Sequence, residues 1–236
     1  MNIALVLAGG RGSRMNSDMP KQYIEVNGKM IIEYCLETLF EDEYINGVIV
    51  VAGVEWREII EEAIKNSDWG SKYFSKFMGF SMPGENRQLS IFNGLTDIVN
   101  SKKQGKGDKV LVHDAARPML SHQLIKRCFE AFSDESIGGV LPVIPMKDTI
   151  YVCGEDREVT GLMDRNRVYA GQAPEVFDIE KYYEANISLL PEKILSINGS
   201  TEPAVMAGMN IVTVDGEEDN FKITTQKDLD RFRRML

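Results

Sequence analysis

The sequence predicts an α/β fold: a doubly wound, mostly parallel sheet with helices on both faces and a protruding β-hairpin arm. Three observations predict it. Short apolar runs, of the kind that fill strands buried on both faces, alternate with stretches whose apolar residues recur at helical spacing. A glycine-rich turn, Gly9-Gly10-Arg11-Gly12, follows the first of those runs almost at once. Between about residues 142 and 170 the alternation breaks, and two short β-prone stretches flank a polar turn with no helical crossover between them. The 236 residues, 43% of them hydrophobic, suffice for one sizeable core, so a single domain over 1–236 is expected.

In order, residues 3–7 are the first strand. Residues 28–40 read as a helix, with Met30, Ile31, Tyr34, Cys35 and Leu39 at helical spacing. Residues 47–52 are a second buried strand and 56–64 a helix. Residues 66–76, polar and aromatic, read as a loop, and 77–80 as a short strand. Residues 86–99 form a helix with Leu89, Ile91, Phe92, Leu95 and Ile98 on its buried side. A charged turn at 101–108 leads to a strand at 109–112, a helix at 121–132 that Ser121 caps, and a strand at 137–143. In the arm, residues 149–152 and 158–160 pair about the turn at 154–157. A helix at 178–190, a strand at 209–214 and an amphipathic helix at 225–235 close a Rossmann-like pattern.

Composition removes several function classes. The formal net charge of −9 argues against a nucleic-acid surface, which needs a basic stripe. No apolar run approaches the ~20 residues of a membrane span, and the start of the chain shows no secretory pattern, so a cytoplasmic protein is expected. The odd number of cysteines, 3, reads as free thiols, and 2 histidines exclude a His-rich metal site.

Four stretches carry chemistry. Strand, glycine loop and the cations Arg14 and Lys21 are how a protein holds a polyphosphate. The loop is not a P-loop, because Ser13-Arg14 follows Gly12, and not a dinucleotide fingerprint, because Met15 stands at the third glycine position. A plain strand-to-helix turn is the competing reading. Residues 83–90, Pro-Gly-Glu-Asn-Arg-Gln-Leu-Ser, feed a helix N-terminus, an anion site by nature, although Asn86 or Glu85 acting as a cap is equally good. Residues 112–118, Val-His-Asp-Ala-Ala-Arg-Pro, end a strand at the sheet edge where ligands bind. A carboxylate there suits Mg²⁺ and an arginine suits phosphate, against an internal Asp114–Arg117 salt bridge. Residues 216–224 bring Lys222 and Asp219 to the same edge, or are a solvated acidic turn.

Together these stretches resemble the sugar-phosphate nucleotidyltransferases, and Pro20-Lys21-Gln22 narrows the likeness to the IspD-like cytidylyltransferases, which make CDP-methylerythritol or CDP-ribitol. The resemblance implies the nucleotide-diphospho-sugar transferase fold and the reaction CTP + polyol phosphate → CDP-polyol + pyrophosphate. It implies catalytic roles for Arg14, Lys21 and Lys222. It implies nucleotide contacts at Leu7, Ala8, Gly9, Gly10, Gly12, Gly84, Glu85, Ser90 and Ala115. It puts Arg117, Arg165 and Thr201 on the acceptor phosphate, Mg²⁺ on Asp114 with Asp219 as a second carboxylate, and a homodimer through the arm, with Arg165 reaching the neighbouring subunit's substrate.

Where that family reads Gln-Thr-Pro-Gln and Thr-Asp-x-Ala, this chain has Gln172-Ala173-Pro174-Glu175 and Thr201-Glu202-Pro203-Ala204, departures expected to fall at the acceptor. Tyr169-Ala-Gly-Gln leans toward ribitol 5-phosphate, Val-His-Asp-Ala-Ala-Arg-Pro toward 2-C-methyl-D-erythritol 4-phosphate, and the two acceptors weigh nearly equally, with a slight lean to ribitol 5-phosphate or a related polyol. A homologue that binds nucleotide but takes another acceptor, or none, is the alternative. A nicotinamide dehydrogenase has only fold type in its favour.

Overall fold

The computed structural model describes residues 1–10, 19–101 and 105–236. Strand β1 (Asn2–Leu7) is followed by a small hairpin of β2 (Glu25–Val26) and β3 (Lys29–Met30), then helix α1 (Ile31–Glu41). Next come β4 (Gly47–Val51), α2 (Val54–Asn66), α3 (Asp68–Tyr73), β5 (Phe77–Ser81) and α4 (Arg87–Asn100). They lead to β6 (Lys109–Asp114), α5 (His122–Glu130) and β7 (Ile137–Pro145). The hairpin β8 (Ile150–Cys153) and β9 (Val159–Met163) is a two-stranded sheet of its own. The chain closes with β10 (Tyr169–Gly171), β11 (Glu175–Asp178), α6 (Ile179–Ile187), α7 (Glu202–Met206), β12 (Asn210–Asp215) and α8 (Gln226–Met235).

β5, β4, β1 and β6 pair in parallel in that order. β11 enters antiparallel between β6 and β7, so β6 and β7 point the same way without pairing. β12 pairs in parallel with β7, and β10 antiparallel with its far end. The period-2 alternation of β1 divides the core. Ala4 and Val6 pack with Leu36 of α1, Ile60 of α2 and Leu124 of α5, while Ile3 and Leu5 pack with Ile91 and Leu95 of α4 and Tyr182 of α6. The expected fold class is what the chain adopts. Its parallel strands β1, β4 and β6 deliver their C-terminal ends to one rim, where ligands bind in open α/β sheets.

Local differences from the sequence reading have local causes. Residues 66–76 are not a loop: Ser67 caps α3 by accepting from Gly70 N at 3.0 Å, and Trp69 packs edge-on against Phe40 with centroids 5.4 Å apart. Six residues are too few to show a helical period, so docking decides that segment. The helix expected from residue 28 starts at Ile31, because 25–30 form the β2–β3 hairpin around an Asn27-Gly28 turn. The body strand β7 runs on to Pro145, so the arm proper starts later than residue 142. β11 and α7, both short, had no sequence signature.

Candidate functional site

The rim holds a cleft of about 670 Å³, within the usual range for small-ligand sites. The backbone that follows β1 forms one wall through Leu7, Gly9 and Gly10. Three bonds fix that backbone: Gln22 Nε2 donates to Ala8 O at 2.5 Å and to Gly10 O at 2.8 Å, and Tyr23 Oη donates to Ala8 O at 2.9 Å. Gly9 has to be glycine, since a Cβ there would stand 2.4 Å from Cβ of Pro83 on the facing loop. Gly84 likewise has no room, with Leu89 Cβ 2.3 Å from where its own would be. The Gly9 backbone thus packs directly on Pro83 of the facing loop, and the Gly84 backbone on the first turn of its own helix, which leaves bare backbone at the cleft for a ligand to approach.

The facing loop is set by the start of α4. Asn86 is the cap, its Oδ1 accepting from Leu89 N at 2.8 Å, and its Nδ2 donates to Ile194 O and Leu195 O at 3.0 and 3.1 Å. The Ser90 hydroxyl accepts from Gly84 N at 3.0 Å and donates to Asn86 O. Gly84, Glu85 and Ser90 all line the cleft, together with Arg87.

Asp114 ends β6 opposite Leu7 and is 7% exposed. Three cations surround its carboxylate: Arg87 Nε at 3.1 Å from Oδ1, and Lys222 Nζ at 3.0 Å and Arg117 Nε at 3.6 Å from Oδ2. Burial pushes the carboxyl up, but Arg87, Lys222 and Arg117 outweigh it and hold Asp114 well below the usual carboxylate range. His113, next to it, is fully buried and donates from Nε2 to Arg117 O at 3.0 Å; burial drives its pKa down to about 4, so the ring is neutral.

Lys222 arrives on the loop between β12 and α8. Ile223 N donates to Ala116 O at 2.8 Å, and Gln172 pairs with the Glu217 backbone through both ends of its amide, at 2.9 and 3.0 Å. Arg117 braces the same loop, donating from Nη1 to Asn220 O at 2.6 Å, and Asn220 Nδ2 donates to Ala173 O.

Of the residues singled out in the sequence, Leu7, Gly9, Gly10, Lys21, Gly84, Glu85, Ser90, Asp114 and Lys222 line one cleft. Ala8 and Ala115 are buried and do not line it. Arg14 and Gly12 lie outside the described residues. Asp219 is not brought to Asp114: it is exposed, bonded to Arg231 at 3.0 Å, and absent from the cleft wall. The expected second carboxylate is therefore corrected, and among the described residues no cluster of three His, Cys, Asp or Glu forms a metal cage. Arg117 stands behind the wall rather than in it. Arg165 is exposed at the foot of the arm, 3.4 Å from Lys147 O. Thr201 donates its hydroxyl to Glu175 at 2.7 Å.

Two functional positions escaped the sequence reading. Arg87 stands inside the 83–90 stretch, Pro-Gly-Glu-Asn-Arg-Gln-Leu-Ser, and Gln22 closes Pro20-Lys21-Gln22; the motifs contained both, but neither was given a role. Glu202 and Pro203 have local structural roles. The Glu202 carboxylate accepts from Asn198 N at 2.9 Å, and Pro203 sits in the first turn of α7, where its missing N–H costs nothing.

The arrangement is an anion cradle: tight glycine backbones, cations on opposite walls and one ionised carboxylate on the floor. Comparison with known proteins agrees with it. A family model described as IspD, 2-C-methyl-D-erythritol 4-phosphate cytidylyltransferase, matches residues 2–236. The chain is 32% identical over 233 residues to the 2-C-methyl-D-erythritol 4-phosphate cytidylyltransferase of Caldanaerobacter subterraneus subsp. tengcongensis, covering 97% of this chain and 96% of that one. It is 33% identical over 227 residues to the protein of the same name in Nitrosomonas eutropha, covering 96% and 93%. Among solved structures, the 4-diphosphocytidyl-2C-methyl-D-erythritol synthase of Anaerococcus prevotii superposes with a TM-score of 0.82 at 26% identity, covering 99% of this chain and 95% of that one.

Proposed function

Because this chain belongs to the IspD family and is therefore a nucleotidyltransferase of the cytidylyl type, we propose that it transfers the cytidylyl group of CTP to 2-C-methyl-D-erythritol 4-phosphate, releasing pyrophosphate. The observation that carries this reading is the convergence of Arg87 and Lys222 on Asp114 in the cleft that Lys21 and the glycine wall also line. The acceptor comes from the names of the relatives. Ribitol 5-phosphate, slightly favoured in the sequence, loses that lead: none of the relatives compared above is named for it, and the Tyr169 signal belongs to β10, an exposed strand that does not line the cleft.

The acceptor phosphate is already anionic, so its oxygen attacks the α-phosphorus in line with no enzyme base. The chain's work is positioning and charge stabilisation. Lys21 and Lys222, with Arg14 by resemblance, offset the charge of the pentacoordinate phosphorus and of the pyrophosphate leaving group. Gly10 and Gly84 let backbone approach the nucleotide, and Ser90 fixes Gly84. Arg117 holds the Lys222 loop, and Thr201 stands on the acceptor side.

The donor set fits Mg²⁺, which takes one or two protein carboxylates and completes its shell with phosphate and water oxygens. Asp114 would hold it, and when bound it supplies further charge neutralisation at the phosphates. A homodimer through the β8–β9 arm completes the proposal, since Tyr151, Val152, Val159, Leu162 and Met163 are exposed there; Arg165, at the arm's foot, would serve the partner's site. A cytoplasmic enzyme suits the buried free thiols of Cys35 and Cys128, both pushed up to about 12 by burial and so kept as thiols.

The test is pyrophosphate release from CTP with a panel of polyol phosphates. Turnover with 2-C-methyl-D-erythritol 4-phosphate and at least ten-fold less with ribitol 5-phosphate is expected; the reverse order sinks the acceptor assignment.

A further inference from the structure

The start of β11 carries a buried carboxylate that the proposed chemistry does not use. Glu175 is 8% exposed and lies opposite Val112 of β6. One of its oxygens accepts from the Ser200 hydroxyl and the other from Thr201 Oγ1 at 2.7 Å. Arg87 Nη2 stands 4.0 Å from the first oxygen, while Arg87 Nε is held by Asp114. Burial raises the carboxyl overall, with the Asp114 charge adding to it, and Arg87 and the two hydroxyls offset only part of the rise. A hydroxyl donates to each oxygen and a guanidinium stands beside them, so both oxygens of Glu175 are placed as acceptors.

A threonine hydroxyl has one proton and two lone pairs. We infer that Glu175 commits the proton of Thr201, so that Thr201 meets the acceptor substrate as a hydrogen-bond acceptor and fits a polyol hydroxyl, not a phosphate oxygen. A phosphate oxygen facing Thr201 would set lone pair against lone pair. The glutamine that the resembled family carries at this position has an amide N–H to give Thr201, which would leave the threonine's own proton free. Glu175 is thus a positioning residue that sets the polarity of Thr201. This rests on the proposed reading that Thr201 stands on the acceptor side.

The experiment measures KM and kcat for the parent polyol phosphate and its mono-deoxy analogues, in wild type, Thr201→Val and Glu175→Gln, with KM for CTP as control. In wild type one deoxy analogue has a KM raised about ten-fold, the usual loss for one hydrogen bond. In Thr201→Val the parent and that analogue agree within about two-fold, because the hydroxyl has lost its partner either way. In Glu175→Gln, which can donate to Thr201, the difference between them shrinks while KM for CTP moves less than about two-fold. If each deoxy analogue keeps its wild-type penalty in Thr201→Val, or if Glu175→Gln discriminates like wild type, the inference is overturned. Should Glu175→Gln fail to fold, Glu175→Asp, whose shorter carboxylate withdraws from Thr201, takes its place with the same expected loss of discrimination, and wild-type discrimination in it overturns the inference. If wild type prefers another polyol phosphate, the acceptor reading fails, and the same deoxy series on that polyol still decides the role of Glu175.

Discussion

Asp114 is a carboxylate outnumbered by its counter-ions. Removing any one of them leaves it charged, yet only Lys222 and Arg87 also face the cleft; Arg117 is turned to the loop behind. Lys222→Ala should therefore lower kcat by about 10²–10³ in steady-state pyrophosphate release, by analogy with other preorganised charge sites; a loss of less than ten-fold would make Lys222 a structural partner of Asp114 and no more. His113 gives a second residue-scale prediction. Its pKa is about 4 folded against 6.5 for a freely solvated imidazole, so between those values the unfolded chain binds the extra proton. The stability His113 contributes by being buried neutral is present above about pH 6.5 and is lost as pH falls toward 4, by about 3 kcal/mol in all. Denaturant titrations of wild type and His113→Asn across that range should differ by this slope, and parallel curves would rule it out. The sequence made Asp114 and Lys222 legible because each stands in a recognisable block. It could not show Arg87 as their partner, because Arg87 and Asp114 lie 27 residues apart along the chain and meet only when the sheet brings their loops to one rim.

At the scale of elements, the cleft depends on short connections held by side chains. Asn86 caps α4 and ties it to the 3₁₀ turn at Lys193–Ser196. Asn86→Ala should cost about 1–2 kcal/mol, read as a lower denaturant midpoint at unchanged m-value, as N-cap losses do. Because the same loop carries Gly84 and Glu85, KM for CTP should rise with it. Helices with long apolar stripes, α1, α2, α4 and α5, could be read from period alone. The elements missed, α3, α7, β11 and the β2–β3 hairpin, have six residues or fewer each and owe their existence to what they dock against. The two departures from the family pattern then separate. Glu202-Pro203 is absorbed into the first turn of α7, whereas Glu175 is built into the wall behind Arg87.

At the scale of the molecule, an acidic protein of net charge −9 concentrates cations at one rim, and this local excess is what a polyphosphate meets. The arm projects apolar side chains away from the body, which a monomer would leave in water. Leu162→Asp combined with Val159→Asp should turn a dimer into a monomer by sedimentation velocity while each subunit still melts cooperatively. A dimer that survives the double change would place the subunit contact elsewhere.

The sequence by itself determined the alternating architecture, the glycine loop, the hairpin and the blocks that carry Lys21, Asp114 and Lys222, because each of these is written in neighbouring residues through periodicity, turn chemistry or local charge. Only the tertiary structure decided which charges meet. It turned Asp219 out to Arg231 and Arg117 back to Asn220, and it placed Glu175 between Thr201 and Arg87. Those partners lie between 12 and 103 residues apart along the chain. Their distances are set by sheet register and by the reversed strand β11, and no local pattern encodes either.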